Sequence, residues 1–175
     1  AYEADPGLFI NTASLAFAME MPPFVGANER IGEILAQFFQ EGLPKAAHVQ
    51  ILCWGSPRVA PIIGKWFLPR YTAGSVYRAM AQHRAAHIAR GVWESLSADA
   101  PFHVRHHRVI ISVSVPLKSG IDRAEMVACR DGLVAVLKSV DVEVAHLSPV
   151  DLIGLVDDLT SPTTASDDDA ISYNE

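Results

Sequence analysis

Hydrophobic positions follow two rhythms along this 175-residue chain. Near the start, Gly7-Leu8-Phe9-Ile10 and Ser14-Leu15-Ala16-Phe17-Ala18-Met19 flank Asn11-Thr12-Ala13, a pattern that predicts a hairpin. After the turn Pro22-Pro23, Ile31, Ile34, Leu35, Phe38 and Phe39 recur at i, i+3, i+4, i+7 and i+8. They make one face of a helix that Asn28 can cap and that Gly42 and Pro44 end. The apolar run Val49 to Trp54, bounded by Gly55-Ser56-Pro57, predicts a buried strand. A short helix over Val59 to Phe67 is expected to stop at Pro69, and helical spacing of Tyr77, Met80, Ala81, Arg84, Ile88, Val92 and Leu96 predicts one long helix from Ser75 to Leu96.

The second half returns to period two. In Arg108 to Pro116, Val109, Ile111, Val113 and Val115 alternate with Ile110, Ser112 and Ser114, which predicts a strand with one mostly polar face. A helix opens at Ile121-Asp122 and runs to Val140, a strand follows over Val142 to Ala145, and Pro149 begins a last helix to Leu159. With the helical pair of residues 59–96 set aside, the order contains two successive strand-helix-strand units. It implies an α+β fold, a mixed or antiparallel sheet with helices on one side in ferredoxin-like fashion, carrying an inserted helical pair. Residues 1–159 read as one α+β domain and 160–175, with Asp167, Asp168, Asp169 and Glu175 but no Lys or Arg, as an acidic linker.

Half the residues are hydrophobic and 19% are charged, so the chain is neither disordered nor low-complexity. Fourteen Lys and Arg against twenty Asp and Glu give a net charge of −6, which argues against a nucleic-acid backbone or an anionic membrane surface as main partner. The longest uncharged stretch, Pro6 to Met19, is too short and too interrupted to span a bilayer as a helix. With only Cys53 and Cys129, a disulfide framework is implausible and a reducing, cytoplasmic setting is expected.

Several chemistries lack a required part. A phosphate-cradling P-loop needs Gly-x-x-x-x-Gly-Lys-Ser/Thr; here Gly55 lies too far from Gly64-Lys65, Trp66 stands where the hydroxyl belongs, and Pro57 and Pro61 remove amides. His83 and His87 have the i, i+4 spacing of a zinc protease, yet Arg84 occupies the place of the general-base Glu and no further ligand pair matches. His103, His106 and His107 with Arg105 and Arg108 mark a polar strand entry that can meet an anion or a partner. Ser56 lacks the glycines of a nucleophile elbow, and neither Cys has an electropositive neighbour pattern that would depress its pKa. The acidic pair Asp157-Asp158 and the run Asp167 to Asp169 read as solvated charge. No catalytic, cofactor-binding or metal-binding residue is expected. Trp66, Phe67 and Tyr71, close to Pro69 and Arg70, read either as core and helix edge or as a contact surface, whose composition they have, with Arg105 and Arg108 as further partner-binding candidates.

The strings Gly7-Leu8-Phe9-Ile10-Asn11, Met19-Glu20-Met21-Pro22 and Val25-Gly26-Ala27-Asn28-Glu29 resemble the opening of the TraC ATPases of F-type conjugative systems, relatives of the VirB-type secretion ATPases. Leu43-Pro44, Arg105-His106-His107-Arg108-Val109-Ile110-Ile111-Ser112, Asp151-Leu152-Ile153 and Ser172-Tyr173-Asn174 continue the similarity in the family's order. The resemblance implies an N-terminal docking domain ahead of a RecA-like motor, in a protein that powers pilus assembly and DNA transfer through a type IV secretion channel. It implies that ATP and Mg belong to that motor, outside these residues. It also implies a cytoplasmic place at the inner membrane, homo-oligomers in the full-length context, and an inner-membrane partner of the small TraL or VirB type, without direct nucleic-acid contact. The rival reading is a stand-alone ferredoxin-like ligand-binding domain or small enzyme.

Overall fold

The computed structural model describes residues 1–26 and 28–161. Six strands and five helices follow one another as β1 (Tyr2–Glu3), β2 (Leu8–Ile10), β3 (Ser14–Met21), α1 (Glu29–Glu41), β4 (His48–Ser56), α2 (Ala60–Tyr71), α3 (Ser75–Arg90), β5 (His106–Pro116), α4 (Arg123–Ser139), β6 (Ala145–His146) and α5 (Pro149–Thr160). The fold is α+β, with an antiparallel sheet in the order β1-β2-β3-β5-β4 and β6 also on β3. The path β6-β3-β5-β4 is that of two split strand-helix-strand units, β3-α1-β4 and β5-α4-β6, with α2 and α3 inserted between them. The expected acidic linker lies almost wholly outside the described residues.

The described residues group into two compact units, one of Ala1–Cys53 with Arg108–Ile153, the other of Trp54–His107 with 154–161. In the first unit the register of β3 on β5 explains the core. Leu15 faces Val115, Phe17 faces Val113 and Met19 faces Ile111, and all six are buried. The pairs between them, Ala16 with Ser114 and Ala18 with Ser112, belong to the other face, so period-two patterning puts polar hydroxyls away from the core. On that polar face Arg108 donates to both carboxylate oxygens of Glu20, each at 2.7 Å.

Helix α4 closes the core with Met126, Cys129, Leu133 and Leu137, one stripe of its surface. Asp122 Oδ1 accepts the Glu125 N–H at 2.8 Å and fixes where that helix begins. Helix α1 adds Phe38, whose ring lies 3.4 Å from where a side chain on Gly132 would begin. Asn28 caps α1 as the sequence predicts, its Oδ1 accepting the Ile31 N–H at 3.0 Å.

Four elements differ from the sequence reading. β4 is a strand but not a buried one: Ile51 and Leu52 are exposed, since β4 ends the sheet and its apolar run does not carry burial with it. Helix α2 runs through Pro69 to Tyr71, because a proline in the final turn forfeits a single hydrogen bond. There the Arg70 guanidinium donates to the Trp66 carbonyl at 2.7 Å and the Thr72 hydroxyl to the Pro69 carbonyl at 3.2 Å. Helix α3 ends at Arg90, well before Leu96, since Gly91 is packed so closely that a Cβ there would sit 2.7 Å from Leu96 and Val104. The last strand is Ala145–His146 rather than 142–145, and Val142 is buried in the core just before it.

Candidate docking interface

The second unit is built around the α2–α3 pair, and its helices bury little. Among the described residues α2 has no buried side chain and α3 buries only Ala81. Neither helix starts on a side-chain cap: α2 follows Val59 and α3 follows Gly74. Small residues on α3 let α2 approach, and between them runs an apolar groove of about 550 Å³ lined by Val59, Ile63, Phe67, Ala85, Ala89 and Trp93. A second groove of about 380 Å³ is lined by Ile62, Trp66, Arg84, Ile88, Arg105 and His107.

Residues four apart on α2 stack on one another. Phe67 and Tyr71 have ring centroids 5.1 Å apart, and the Arg70 guanidinium lies 4.5 Å from the Trp66 centroid. From α3, Arg84 approaches Trp66 at 5.7 Å and Arg78 covers the Tyr71 ring at 4.6 Å while its Nε–H donates to the Tyr71 carbonyl. Guanidinium groups thus stand over Trp66 and Tyr71, an arrangement worth about 0.5–1 kcal/mol per pair at an exposed site.

Of the five residues the sequence singled out, Trp66, Phe67 and Tyr71 come together on α2, and Arg105 joins Trp66 along the second groove. Arg105 Nη1 donates to the Val92 and Val104 carbonyls, both at 2.9 Å, and so ties down the segment after α3. Arg108 belongs to the sheet unit, where Glu20 holds it. Sequence reasoning missed Trp93 and the tip residues Val76, Tyr77 and Met80. The helical spacing of Tyr77 and Met80 placed them on a helix, and the structure leaves them 63% and 66% exposed there.

Asp158 also departs from expectation, because the sequence reading gave it to solvent and it is buried. Its carboxylate accepts from Trp54 Nε1 at 3.0 Å and from Ser56 Oγ at 2.9 Å, with Arg58 Nε at 3.5 Å, while Arg58 Nη2 donates to Asp157 at 2.7 Å. Only a fold that brings α5 beside the end of β4 creates this site, and no local signal announces it.

The remaining candidate chemistries are placed as follows. Lys65 and Gly64 lie in mid-α2. His83 and His87 are exposed on α3, and among the described residues no three His, Cys, Asp or Glu side chains converge to hold a metal. Burial, with Glu125 nearby, pushes the Cys129 thiol up to about 11, so it stays protonated. Burial and the Arg130 charge lower the pKa of His146. No helix among the described residues is long and apolar enough to cross a membrane.

The class defined by these features is an α+β domain of split strand-helix-strand topology whose inserted helical pair exposes aromatic, aliphatic and arginine side chains. The TraC protein family model matches residues 1–175, the whole chain, and the chain belongs to that family. It is a TraC-type domain of F-type conjugation and type IV secretion, and it fits as a fragment of an ATPase. No curated protein and no solved structure matches the chain.

Proposed function

We propose that this chain is the docking and assembly domain of a TraC-like ATPase, seated on the cytoplasmic side of the inner membrane and supporting pilus assembly and conjugative DNA transfer. ATP and Mg are bound by the motor of the full-length protein and not by this chain, so the domain itself turns nothing over. Its partner is a small inner-membrane component of the TraL or VirB type, and it does not contact nucleic acid directly. The observation that carries this reading is the helical pair, whose apolar groove and aromatic edge are left open while the sheet unit closes its own core.

A pull-down with the detergent-solubilised inner-membrane partner tests it. Phe67→Ala and Tyr71→Ala should each leave the fold intact and weaken capture by more than about 1 kcal/mol if they anchor the contact. Raising the salt should matter little, since screening weakens charge attraction and leaves apolar burial in place. Capture lost in salt yet untouched by both variants would overturn the proposal. Magnesium-dependent ATP turnover by the isolated chain, abolished by Lys65→Ala, would overturn its nucleotide-free part.

A further inference from the structure

The net charge of −6 conceals a sharp segregation. From Gly42 to Trp93 there are seven Lys and Arg residues and not one Asp or Glu, in a chain that carries twenty acidic residues. This stretch contains α2, α3 and the turn joining them. Every residue from 68 to 80 is exposed, including Leu68 at 63%, Val76 at 69%, Tyr77 at 63% and Met80 at 66%. Two arginines, Arg70 and Arg78, sit among these apolar side chains.

We infer that the α2–α3 turn is a membrane-surface tip that inserts its aliphatic side chains between the headgroups of an anionic bilayer and binds lipid phosphates through Arg70 and Arg78. The inference rests on the inner-membrane setting proposed above and adds lipid as a second partner of the domain.

Three features select a bilayer. The apolar side chains surround a turn and emerge from the ends of two helices, so a fluid phase can enclose all of them where a fixed groove would take one face. An interfacial segment of this kind buries its apolar residues roughly 5–10 Å into the headgroup boundary with basic residues at the phosphate level. Each arginine has five N–H donors, of which Arg70 gives one to the Trp66 carbonyl and Arg78 one to the Tyr71 carbonyl. The others can reach phosphate oxygens.

A single-stranded nucleic acid is less well matched by the same surface. Base stacking needs open aromatic faces. Here guanidinium groups stand over Trp66 and Tyr71, and of the exposed tip residues Leu68, Val76, Tyr77 and Met80 a single one is aromatic.

Co-sedimentation of the whole chain with vesicles tests this directly. Vesicles of phosphatidylcholine and phosphatidylglycerol in equal parts should capture it, and pure phosphatidylcholine vesicles should not. The double variant R70Q/R78Q should bind the mixed vesicles roughly 30-fold more weakly, at about fivefold for each basic residue removed from the surface. Because both arginines also bond to backbone carbonyls, the variant V76S/M80S, altered only at exposed positions, is measured beside it and should likewise lose vesicle binding while melting as wild type does. Equal binding to neutral and anionic vesicles, no binding to either, or binding unchanged in V76S/M80S overturns the inference. So does capture of a single-stranded oligonucleotide in place of vesicles. Partner capture in detergent, which contains no bilayer, reports on the docking proposal alone, so the two can fail separately.

Discussion

The sheet unit and the helical unit distribute their carbon in opposite ways. In the sheet unit, Leu8, Leu15, Phe17, Met19, Phe38, Ile111, Val113, Met126 and Leu133 all turn into one core, although Ile51, Leu52 and Leu117 stay exposed at its edges. The helical unit buries Val59, Ala81, Val92 and Leu155 together with the polar pair Ser56 and Asp158, and leaves Leu68, Val76, Tyr77, Met80 and Trp93 in solvent. Apolar burial stabilises a fold by about 25 cal/mol per Å². A unit that forgoes much of it keeps a corresponding capacity for association. The contrast teaches that stability is concentrated in the first unit and contact in the second.

Removing carbon from each unit is the strongest way to break that contrast. Phe38→Ala, in the core of the sheet unit, should cost roughly 3–5 kcal/mol. Met80→Ala, at an exposed position on α3, should stay within about 0.5 kcal/mol. Denaturant midpoints of the two variants decide it. Equal losses would mean that the helical unit has a core of its own, and the docking reading would lose its basis.

The next effect concerns what the helical unit does use to hold itself. Asp158→Ala leaves the Trp54 indole N–H, the Ser56 hydroxyl and Arg58 without their buried acceptor and should cost about 3 kcal/mol. Asp157→Ala removes a partner of Arg58 that is 47% exposed and should cost under about 1 kcal/mol. Thermal unfolding of the pair shows whether burial of the carboxylate, rather than its charge, matters; similar losses would refute that.

Sequence periodicity made the sheet unit legible and the helical unit only half so. Ile31 to Phe39, Val109 to Val115 and the residues after Asp122 repeat with the period of the element they form because each has one buried face, and burial is what periodicity records. Elsewhere the same signal misled: in the helical unit Tyr77 and Met80 keep helical spacing yet stay in solvent, and in the sheet unit the apolar run of β4 ends up on an exposed edge. Trp66, Phe67 and Tyr71 stood out through composition, whereas the grooves they line depend on Ala85, Ala89 and Trp93, residues that no local pattern marks. Charge segregation was visible in the sequence but was averaged away by a single net value.

A third, smaller effect sharpens the division of roles. Arg108 was grouped with the contact residues by its basic neighbourhood, and its bidentate pairing with Glu20, at 15% side-chain exposure, gives it a part in the sheet. Arg108→Ala should cost about 2 kcal/mol in stability, as expected for charge-assisted hydrogen bonds. Partner capture per folded molecule should be unchanged. Loss of capture at full stability would return Arg108 to the interface.

The smallest effect tests how the helices begin. In the sheet unit Asn28 caps α1, Asp122 caps α4, and Ser148 and Asp151 bond reciprocally at the start of α5, where the Asp151 carboxylate accepts the Ser148 N–H at 2.8 Å and Ser148 Oγ accepts the Asp151 N–H at 3.3 Å. In the helical unit α2 and α3 start without any side-chain cap. Asn28→Ala should therefore cost about 1 kcal/mol, the usual value for a lost cap. The first turn of α1 should then exchange its amide hydrogens faster, approaching the uncapped first turns of α2 and α3, while α4 stays slow. If the first turns of α2 and α3 are already as protected as that of wild-type α1, their amides are shielded by something other than capping, and the helical unit is more tightly held than its exposed side chains indicate.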